Sequence, residues 1–318
     1  MLARTGVYLS NGKAIWLEES RTFPSKPSFI YESFGYLGLP HVLGISSLGQ
    51  WAVLGVAIAV ASAAVIGLGT RDLDPSWRTA VLLTVAVSSF PTIVLYNIGW
   101  YDTLTILGAA IVAISRHPVW AVAGVAVMAS ANPSEAVAAA VALLLIAIAG
   151  RWDELGPRAV AALATSLVIF GGATLWLRSH DVEGRSGEFR ANLRFSIESF
   201  LQSAPLSVLA WYGGAWIMVV VLIRAVDGRA RQLLALAGLV GVPAAVSVMT
   251  LDGTRVFAAI AAMPFLVTLV SEARRSRVAV EWNTILLGAL LLVPALYIRG
   301  DTRSIWMPFS WLWTHTMS

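Results

Sequence analysis

The chain lacks cysteine entirely and is poor in charged residues, which make up 13% of its 318 positions. Without cysteine it has no disulfide, no thiolate metal site and no thiol nucleophile. So little charge excludes an ordinary soluble domain, in which about 25% of residues are charged, and it also excludes a disordered chain. No glycine-rich phosphate loop opens a helix after a strand. A nucleotide-driven enzyme or pump is therefore not predicted.

Apolar sequence is what the chain has in abundance, since 58% of its residues are hydrophobic. Its charges are gathered between apolar runs, which is the arrangement that a bilayer demands of a chain crossing it many times. A net charge of +4 would suggest nucleic acid in a soluble protein, but here the arginines mark membrane topology. We expect a lipid bilayer around this protein and no nucleic-acid partner, while protein partners cannot be read from the sequence.

Apolar runs bounded by charge predict an all-α fold, a polytopic transmembrane helix bundle of about ten spans. Backbone polar groups inside hydrocarbon must be satisfied within the segment, so each span is predicted as a helix. The third and fourth runs are short for a span of roughly 20 residues and could tilt into one another. The runs are about 50–69, 79–98, 103–115, 119–131, 135–150, 159–177, 207–223, 232–250, 256–271 and 283–298.

The short loops predict the orientation, because one alternate set is rich in arginine and the other holds only Arg255. By the positive-inside rule the arginine-rich set is cytoplasmic. Twenty arginines against only two lysines, with abundant alanine and valine, lead us to expect a bacterial protein of the cytoplasmic membrane. Both termini are then extracytoplasmic. Three regions result: an outer segment 1–48 with an interfacial helix, a transmembrane domain 49–300 with an outer loop 178–206, and an outer interfacial tail 301–318. The arginines that decide this are Arg71, Arg78, Arg116, Arg151, Arg158, Arg224, Arg229, Arg231, Arg274, Arg275 and Arg277.

The first 48 residues are polar and outer by parity, yet nothing before them resembles a translocation signal. Either a signal is missing upstream or the chain begins inside a longer reading frame. The sequence favours a first helix lost upstream of Met1.

Three polar clusters fall at predicted outer helix ends: Asn97–Asp102, Asn132–Glu135 and Asp252–Arg255. Each has a structural interpretation. Asn132 with Pro133 and Glu135 fits a capping box, Asp102 and Asp252 fit helix N-caps, and Arg255 fits an ion pair with Asp252.

The functional interpretation gives the same residues separate tasks in one outward cavity. The planar fork of Arg255 suits a lipid phosphate, with Asp252 and Asn132 beside it. A nearby carboxylate, Asp102 or Glu135, could remove a proton from an acceptor hydroxyl.

Two aromatic residues of the first cluster, Trp100 and Tyr101, offer flat faces for a sugar ring, although an interfacial belt is the alternative. The sequence predicts no metal site and no cofactor, and it leaves a requirement for a divalent metal open.

The order of an aromatic outer loop, Asn97–Asp102, Asn132–Glu135 and Asp252–Phe257 resembles multi-spanning bacterial membrane glycosyltransferases of the GT-C superfamily. The resemblance covers residues 20–275 in layout. It implies a helical enzyme that takes a sugar from a polyprenyl-phosphate-linked donor and places it on an acceptor at the outer face of the cytoplasmic membrane.

The superfamily usually keeps a catalytic Asp in its first outer loop, and residues 1–48 contain none. The resemblance therefore implies that Glu18 or Glu19 takes that role, that the acid was lost with an upstream helix, or that the protein is inactive. The alternatives to a glycosyltransferase are a transporter or flippase of a lipid-linked substrate and a non-catalytic subunit of a membrane complex.

Overall fold

The described part of the chain is mainly helical, with two short antiparallel hairpins. A computed structural model describes residues 9–10, 13–14, 33–96, 101–179, 186–275, 280–291, 295–299 and 302–306. The strands are β1 (Leu9–Ser10), β2 (Lys13–Ala14), β3 (Ala295–Arg299) and β4 (Thr302–Trp306). The helices are α1 (Phe34–Val42), α2 (Leu48–Gly69), α3 (Pro75–Val87), α4 (Ser89–Tyr96), α5 (Asp102–Ile114), α6 (Pro118–Ala131), α7 (Pro133–Ile146), α8 (Trp152–Ser179), α9 (Ser186–Tyr212), α10 (Trp216–Arg224), α11 (Arg229–Leu236), α12 (Val242–Val248), α13 (Gly253–Arg275) and α14 (Glu281–Leu290).

Within these ranges five helical segments are long and apolar enough to cross a membrane, or six if the bent pair α3 and α4 is one span. The predicted helical fold is confirmed and its apolar helices are compatible with a membrane protein, but ten spans are more than the structure supports. The five segments are Gly49–Gly69, Pro133–Ser179, Asn192–Arg224, Arg229–Val248 and Gly253–Arg275.

The segment Pro133–Ser179 contains a chain reversal, so it covers two of the predicted runs. Gly150 has φ 132°, which only glycine adopts without strain, and it lies in a π-helical turn between α7 and α8. The two helices pack against each other along their lengths, which one continuous helix could not do.

Three predicted spans take other forms. The runs 103–115 and 119–131 are helices of only 13 and 14 residues, α5 and α6, and they cross with Gly108 against Gly124. A Cβ on Gly124 would lie 2.6 Å from the backbone oxygen of Gly108, so glycine permits the close approach. The run 283–298 is wrong as a span, because the 10-residue helix α14 is followed by strand β3.

Helix α13 is the centre of the bundle. In its most apolar 18-residue stretch 94% of the residues are buried, whereas the figure for α2 is 17%. The difference indicates that α13 is enclosed by protein while most of α2 faces outward. The rings of Phe257 and Phe265 on α13 pack with those of Tyr212 and Phe90, with centroid distances of 5.0 to 6.4 Å.

The C-terminal end of α13 is tied to two other helix ends by a shared ion pair. Asp72 accepts hydrogen bonds from Arg116 at 2.5 Å and from Arg274 at 3.3 Å. Arg274 also donates to the carbonyl oxygens of Gly69 and Ile114, the last residues of α2 and α5. Burial alone would raise the pKa of Asp72, but the charge of Arg274 and the hydrogen bond from Arg116 outweigh it and hold that pKa below its usual value.

A second contact group lies at the same end, where α8 starts. Arg151 pairs with Glu272, and Ser271 donates a hydrogen bond to Glu154. All the arginines in these two groups belong to the set predicted as cytoplasmic.

The predicted outer loop 178–206 is largely helical, since α9 begins at Ser186 and continues into the run predicted to span the membrane. Within the predicted N-terminal segment the structure has the helix α1, which packs on α6. The rest of residues 1–32, apart from β1 and β2, and the tail after Trp306 lie outside the described residues.

Candidate functional site

The first residue of α5 places a carboxylate inside the protein. Tyr101 is the N-cap of the helix and makes no side-chain capping bond, so the prediction of Asp102 as the N-cap is wrong. Asp102 is instead the first helical residue, its side chain is fully buried, and it points toward α13. A buried carboxylate requires a partner of opposite charge.

Arg255 supplies that charge from the first turn of α13. Its Nη1 lies 3.2 Å from Oδ1 of Asp102, and its Nε lies 3.0 Å from Oδ2 of Asp252. The guanidinium also donates from Nη1 to the hydroxyl of Tyr101 at 2.6 Å, and its Cζ stands 5.1 Å from the centre of that ring. Two of the predicted turns therefore meet directly, and the predicted pairing of Arg255 with Asp252 is present.

The Asn132 turn begins α7 as the sequence predicts. The side-chain oxygen of Asn132 accepts from the backbone N–H of Glu135 at 3.3 Å, and Pro133 occupies the first turn. The backbone N–H of Asn132, which a capping box assigns to Glu135, donates to the carbonyl of Met128 at 2.9 Å. The buried Glu135 carboxylate lies near enough to Arg255 to interact with its charge.

Tyr297 was not among the predicted site residues, because it fell inside a run predicted to span the membrane. Strand β3 brings its hydroxyl 2.7 Å from Oδ1 of Asp252, to which it donates, and the Tyr297 side chain is buried. The backbone N–H of Ile298 donates to Thr254 and fixes the strand on the first turn of α13. Burial and the nearby charge of Asp252 raise the pKa of Tyr297, so its hydroxyl stays protonated as a donor.

The cluster of Asp102, Asp252, Glu135 and Arg255 holds three carboxylates and one guanidinium. When all are ionised, two negative charges remain in excess. Both oxygens of Asp252 are hydrogen-bonded, to Arg255 and to Tyr297. The arrangement thus offers a base and hydrogen-bond acceptors more readily than a net positive charge for an anion.

The two oxygens of the Asp102 carboxylate differ in their contacts. Oδ2 of Asp102 is buried and has no hydrogen-bond partner among the described residues, while Oδ1 of the same carboxylate contacts Arg255. A buried carboxylate oxygen without a donor is costly, and such groups are often kept for chemistry or for a ligand. On Arg255, Nη2 likewise has no hydrogen bond to the described part of the chain.

A small apolar groove, partly open to the outside, lies beside the first turn of α5. Its walls come from α1, from the first turns of α2 and from the two residues that follow Asp102. The ring of Tyr36 links groove and cluster, because it packs edge-on against Tyr101 at 6.0 Å and against Trp51 at 5.4 Å. The lining residues are Tyr36, Leu39, Pro40, Trp51, Leu54, Gly55, Ile58, Thr103 and Leu104.

The remaining predicted site residues, Trp100, Glu18 and Glu19, lie outside the described residues. Across the ranges that are described, no group of three or more His, Asp or Glu side chains is arranged to hold a metal ion.

Comparisons of the chain with protein-family models, with curated proteins and with solved structures gave no significant match.

Proposed function

We propose that this protein is an integral membrane glycosyltransferase that moves a sugar from a polyprenyl-phosphate-linked donor to an acceptor hydroxyl at the outer face of the cytoplasmic membrane. The observation that carries the proposal is the Asp102 carboxylate, which is buried, held at one oxygen by Arg255 and without a partner at the other. A general base must be fixed and must keep one oxygen for the proton that it removes.

In the proposed step the acceptor oxygen attacks C1 of the donor sugar while its proton passes to Oδ2 of Asp102. The bond between C1 and the phosphate oxygen breaks, and polyprenyl phosphate leaves with the bonding electrons. Asp102 is assigned as the base in preference to Asp252, because its Oδ2 is available, whereas hydrogen bonds occupy both oxygens of Asp252.

In this proposal the main role of Arg255 is not the phosphate binding that the sequence suggests. Two of its three nitrogens are used by Asp102, Asp252 and Tyr101, so its main task in the proposal is to fix the two carboxylates. Only Nη2 is left to contact a donor phosphate. Glu135 and Asn132 support the cluster from α7.

The test is sugar transfer in membranes that contain the protein and are supplied with labelled polyprenyl-phosphate sugars and lipid acceptors. Asp102→Asn keeps an oxygen for Arg255 but is no base, so transfer should fall by about 10²-fold or more. Asp153→Asn is the matched control, since Asp153 is an exposed aspartate in the first turn of α8 at the far end of the bundle.

Transfer by Asp102→Asn at the rate of the unchanged protein would remove Asp102 from the mechanism. Movement of the lipid-linked sugar across proteoliposomes without any transfer would favour the transporter. If neither activity is found, and the outer polar groups tolerate substitution in cells that need the protein, the non-catalytic subunit is favoured.

A further inference from the structure

Positive charge exceeds negative charge around Asp72, at the C-terminal end of α13. Arg116 and Arg274 share the carboxylate of Asp72, with nitrogen–oxygen distances of 2.5 and 3.3 Å. Arg71 directly precedes Asp72, is exposed, and forms no ion pair with the described residues. Three guanidiniums at this end therefore have one carboxylate as their ion-pair partner.

The neighbouring acidic residues do not supply the missing negative charge. The carboxylate of Asp74 caps the first turn of α3. Glu272 pairs with Arg151, and Glu154 lies 3.7 Å from Arg158. The excess of positive charge around Asp72 thus remains for a partner from outside the described part of the chain.

The two guanidiniums on Asp72 differ in what they can still bind. Arg274 is committed to the protein, because its Nη2 donates to the carbonyl oxygens of Gly69 and Ile114 at 3.2 and 3.0 Å. Arg116 contacts Asp72 through Nη2 alone, its side chain is 72% exposed, and its Nε and Nη1 make no hydrogen bond to the described residues. These two N–H groups can bind an anion as a planar fork.

The elements that carry the arginines place this site at the level of lipid head groups. Both α2 and α13 are apolar and long enough to cross a membrane, and the hydrogen bond from Arg274 to Gly69 joins their ends. Leu68 on the last turn of α2 is 54% exposed, and Trp120 on the first turn of α6 is 61% exposed. Arginines beside exposed aliphatic and tryptophan side chains are typical of a membrane surface, where the anions at hand are lipid phosphates.

We propose that Arg71 and Arg116 bind the headgroup phosphate of an anionic phospholipid, whose acyl chains lie against the exposed face of α2. Asp72 and Arg274 position the site, since Asp72 holds Arg116 and Arg274 ties the helix ends together. The positive-inside rule accounts for arginines on this side of the membrane, but not for two of them sharing one carboxylate. The inference is independent of the proposed glycosyltransferase activity.

The experiment is native mass spectrometry of the full-length purified protein in detergent, titrated with dioleoyl phosphatidylglycerol or dioleoyl phosphatidylcholine. The two lipids share their acyl chains and their phosphate, but choline cancels the charge of the second. Phosphatidylglycerol should bind about fivefold more tightly or better, and Asp72→Asn should tighten its binding further because both guanidiniums are released.

Two double variants with the same change in net charge separate a site from the general surface potential. Arg71→Gln with Arg116→Gln should weaken binding of phosphatidylglycerol by about tenfold or more. Arg224→Gln with Arg229→Gln should change it by less than about twofold, because these exposed arginines flank the turn between α10 and α11. If the first double variant does not fold, Arg71→Gln alone replaces it and should weaken binding by about fivefold.

Equal losses in the two double variants would overturn the proposal, because they would show that phosphatidylglycerol responds to net charge alone. Equal binding of the two lipids would also overturn it. Displacement of phosphatidylglycerol by an excess of inorganic phosphate would indicate a site for a free anion, and binding of polyglutamate in its place would indicate an acidic protein partner. Either result would exclude the lipid as the specific ligand.

Discussion

Arg255 is the residue on which the burial of Asp102 depends. The Asp102 side chain is fully buried and that of Arg255 is only 12% exposed, so each charge has given up water for the other. The desolvation cost of such a pair can exceed its attraction, which means that the pair itself contributes little to stability. Removing one partner is different, because it leaves an uncompensated buried charge.

At this scale we expect Arg255→Met to lower the free energy of unfolding by about 3–5 kcal/mol, since Asp102 is then buried without its cation. The double variant Asp102→Asn with Arg255→Met should recover part of that loss, because Asp102 no longer contributes an unpaired buried charge, while Asp252 and Glu135 still lack their cation. Thermal unfolding in detergent of the unchanged protein, both single variants and the double variant gives the coupling energy between Asp102 and Arg255. Additive losses in the double variant would show that the two side chains are not coupled.

The residues of the three turns could be predicted from the sequence, but the pairing of Arg255 with Asp102 and the presence of Tyr297 could not. The three turns predicted to be outer are recognisable because their polar residues interrupt apolar runs, and Arg255 is the only cation in them. Arg255 and Asp102 are 153 positions apart in the sequence, and no local pattern specifies their pairing. Tyr297 was not predicted as a site residue for another reason. It lies in an apolar run that was predicted as a helix, and a run of mixed β-branched and aliphatic residues does not distinguish a helix from a strand.

The helices are held by close backbone approaches as much as by side chains. At the crossing of α5 and α6, a Cβ on Gly124 would lie 2.6 Å from the carbonyl oxygen of Gly108 and 2.7 Å from the Val112 side chain. In a lipid environment such packing replaces the hydrophobic effect as the source of helix association. The carbonyl oxygen of Gly108 cannot relieve such a contact by rotating away, as the end of a flexible side chain can.

Gly124→Ala should therefore destabilise the protein by about 1–3 kcal/mol, since the added methyl group forces the two helices apart. Gly171→Ala is the control: Gly171 lies inside α8 with nothing within 4 Å of its would-be Cβ, and alanine there should be neutral or stabilising. The measurement is the midpoint of thermal unfolding of both variants beside the unchanged protein. A Gly124→Ala midpoint equal to that of Gly171→Ala would contradict the close packing.

Hydropathy predicted where the apolar helices lie in the sequence, but not the turn that connects α7 to α8 or the way the short helices α5 and α6 pack. The reversal at Gly150 falls at the end of the predicted run 135–150, in which only apolar and small residues follow Glu135, so the turn was not distinguishable from the helix before it. The short helices α5 and α6 were recognised as short, yet their packing depends on Gly108 and Gly124 meeting in space. Tertiary contacts of this kind do not change the local pattern.

At the scale of the whole molecule, two charged clusters of the described residues lie at the two ends of α13. Arg255 and Arg274 are 19 residues apart on this helix, roughly 28 Å at 1.5 Å per residue. The hydrocarbon core of a bilayer is about 30 Å thick. The two clusters thus lie at the spacing expected of groups on opposite membrane surfaces, as the alternating loops predict.

The absence of cysteine gives a direct test of the predicted orientation, because any introduced cysteine is the only one. Ser46 and Arg229 are both exposed, and the positive-inside rule places them outside and inside respectively. In intact cells a membrane-impermeant maleimide should label Ser46→Cys and leave Arg229→Cys unlabelled, and permeabilised cells should show both. The reverse pattern would invert the topology and move the Asp102 cluster to the cytoplasmic side.

The tie between Arg274 and the ends of α2 and α5 has one more consequence. Arg274 anchors the C-terminal end of α13, and the ion pairs of Arg255 with Asp102 and Asp252 anchor its N-terminal end. We therefore expect α13 to move together with its neighbours. Such a bundle presents a hydrophobic thickness that is fixed by its own geometry, so the surrounding lipids must stretch or thin to match it. The protein should accordingly discriminate among membranes by the length of their acyl chains.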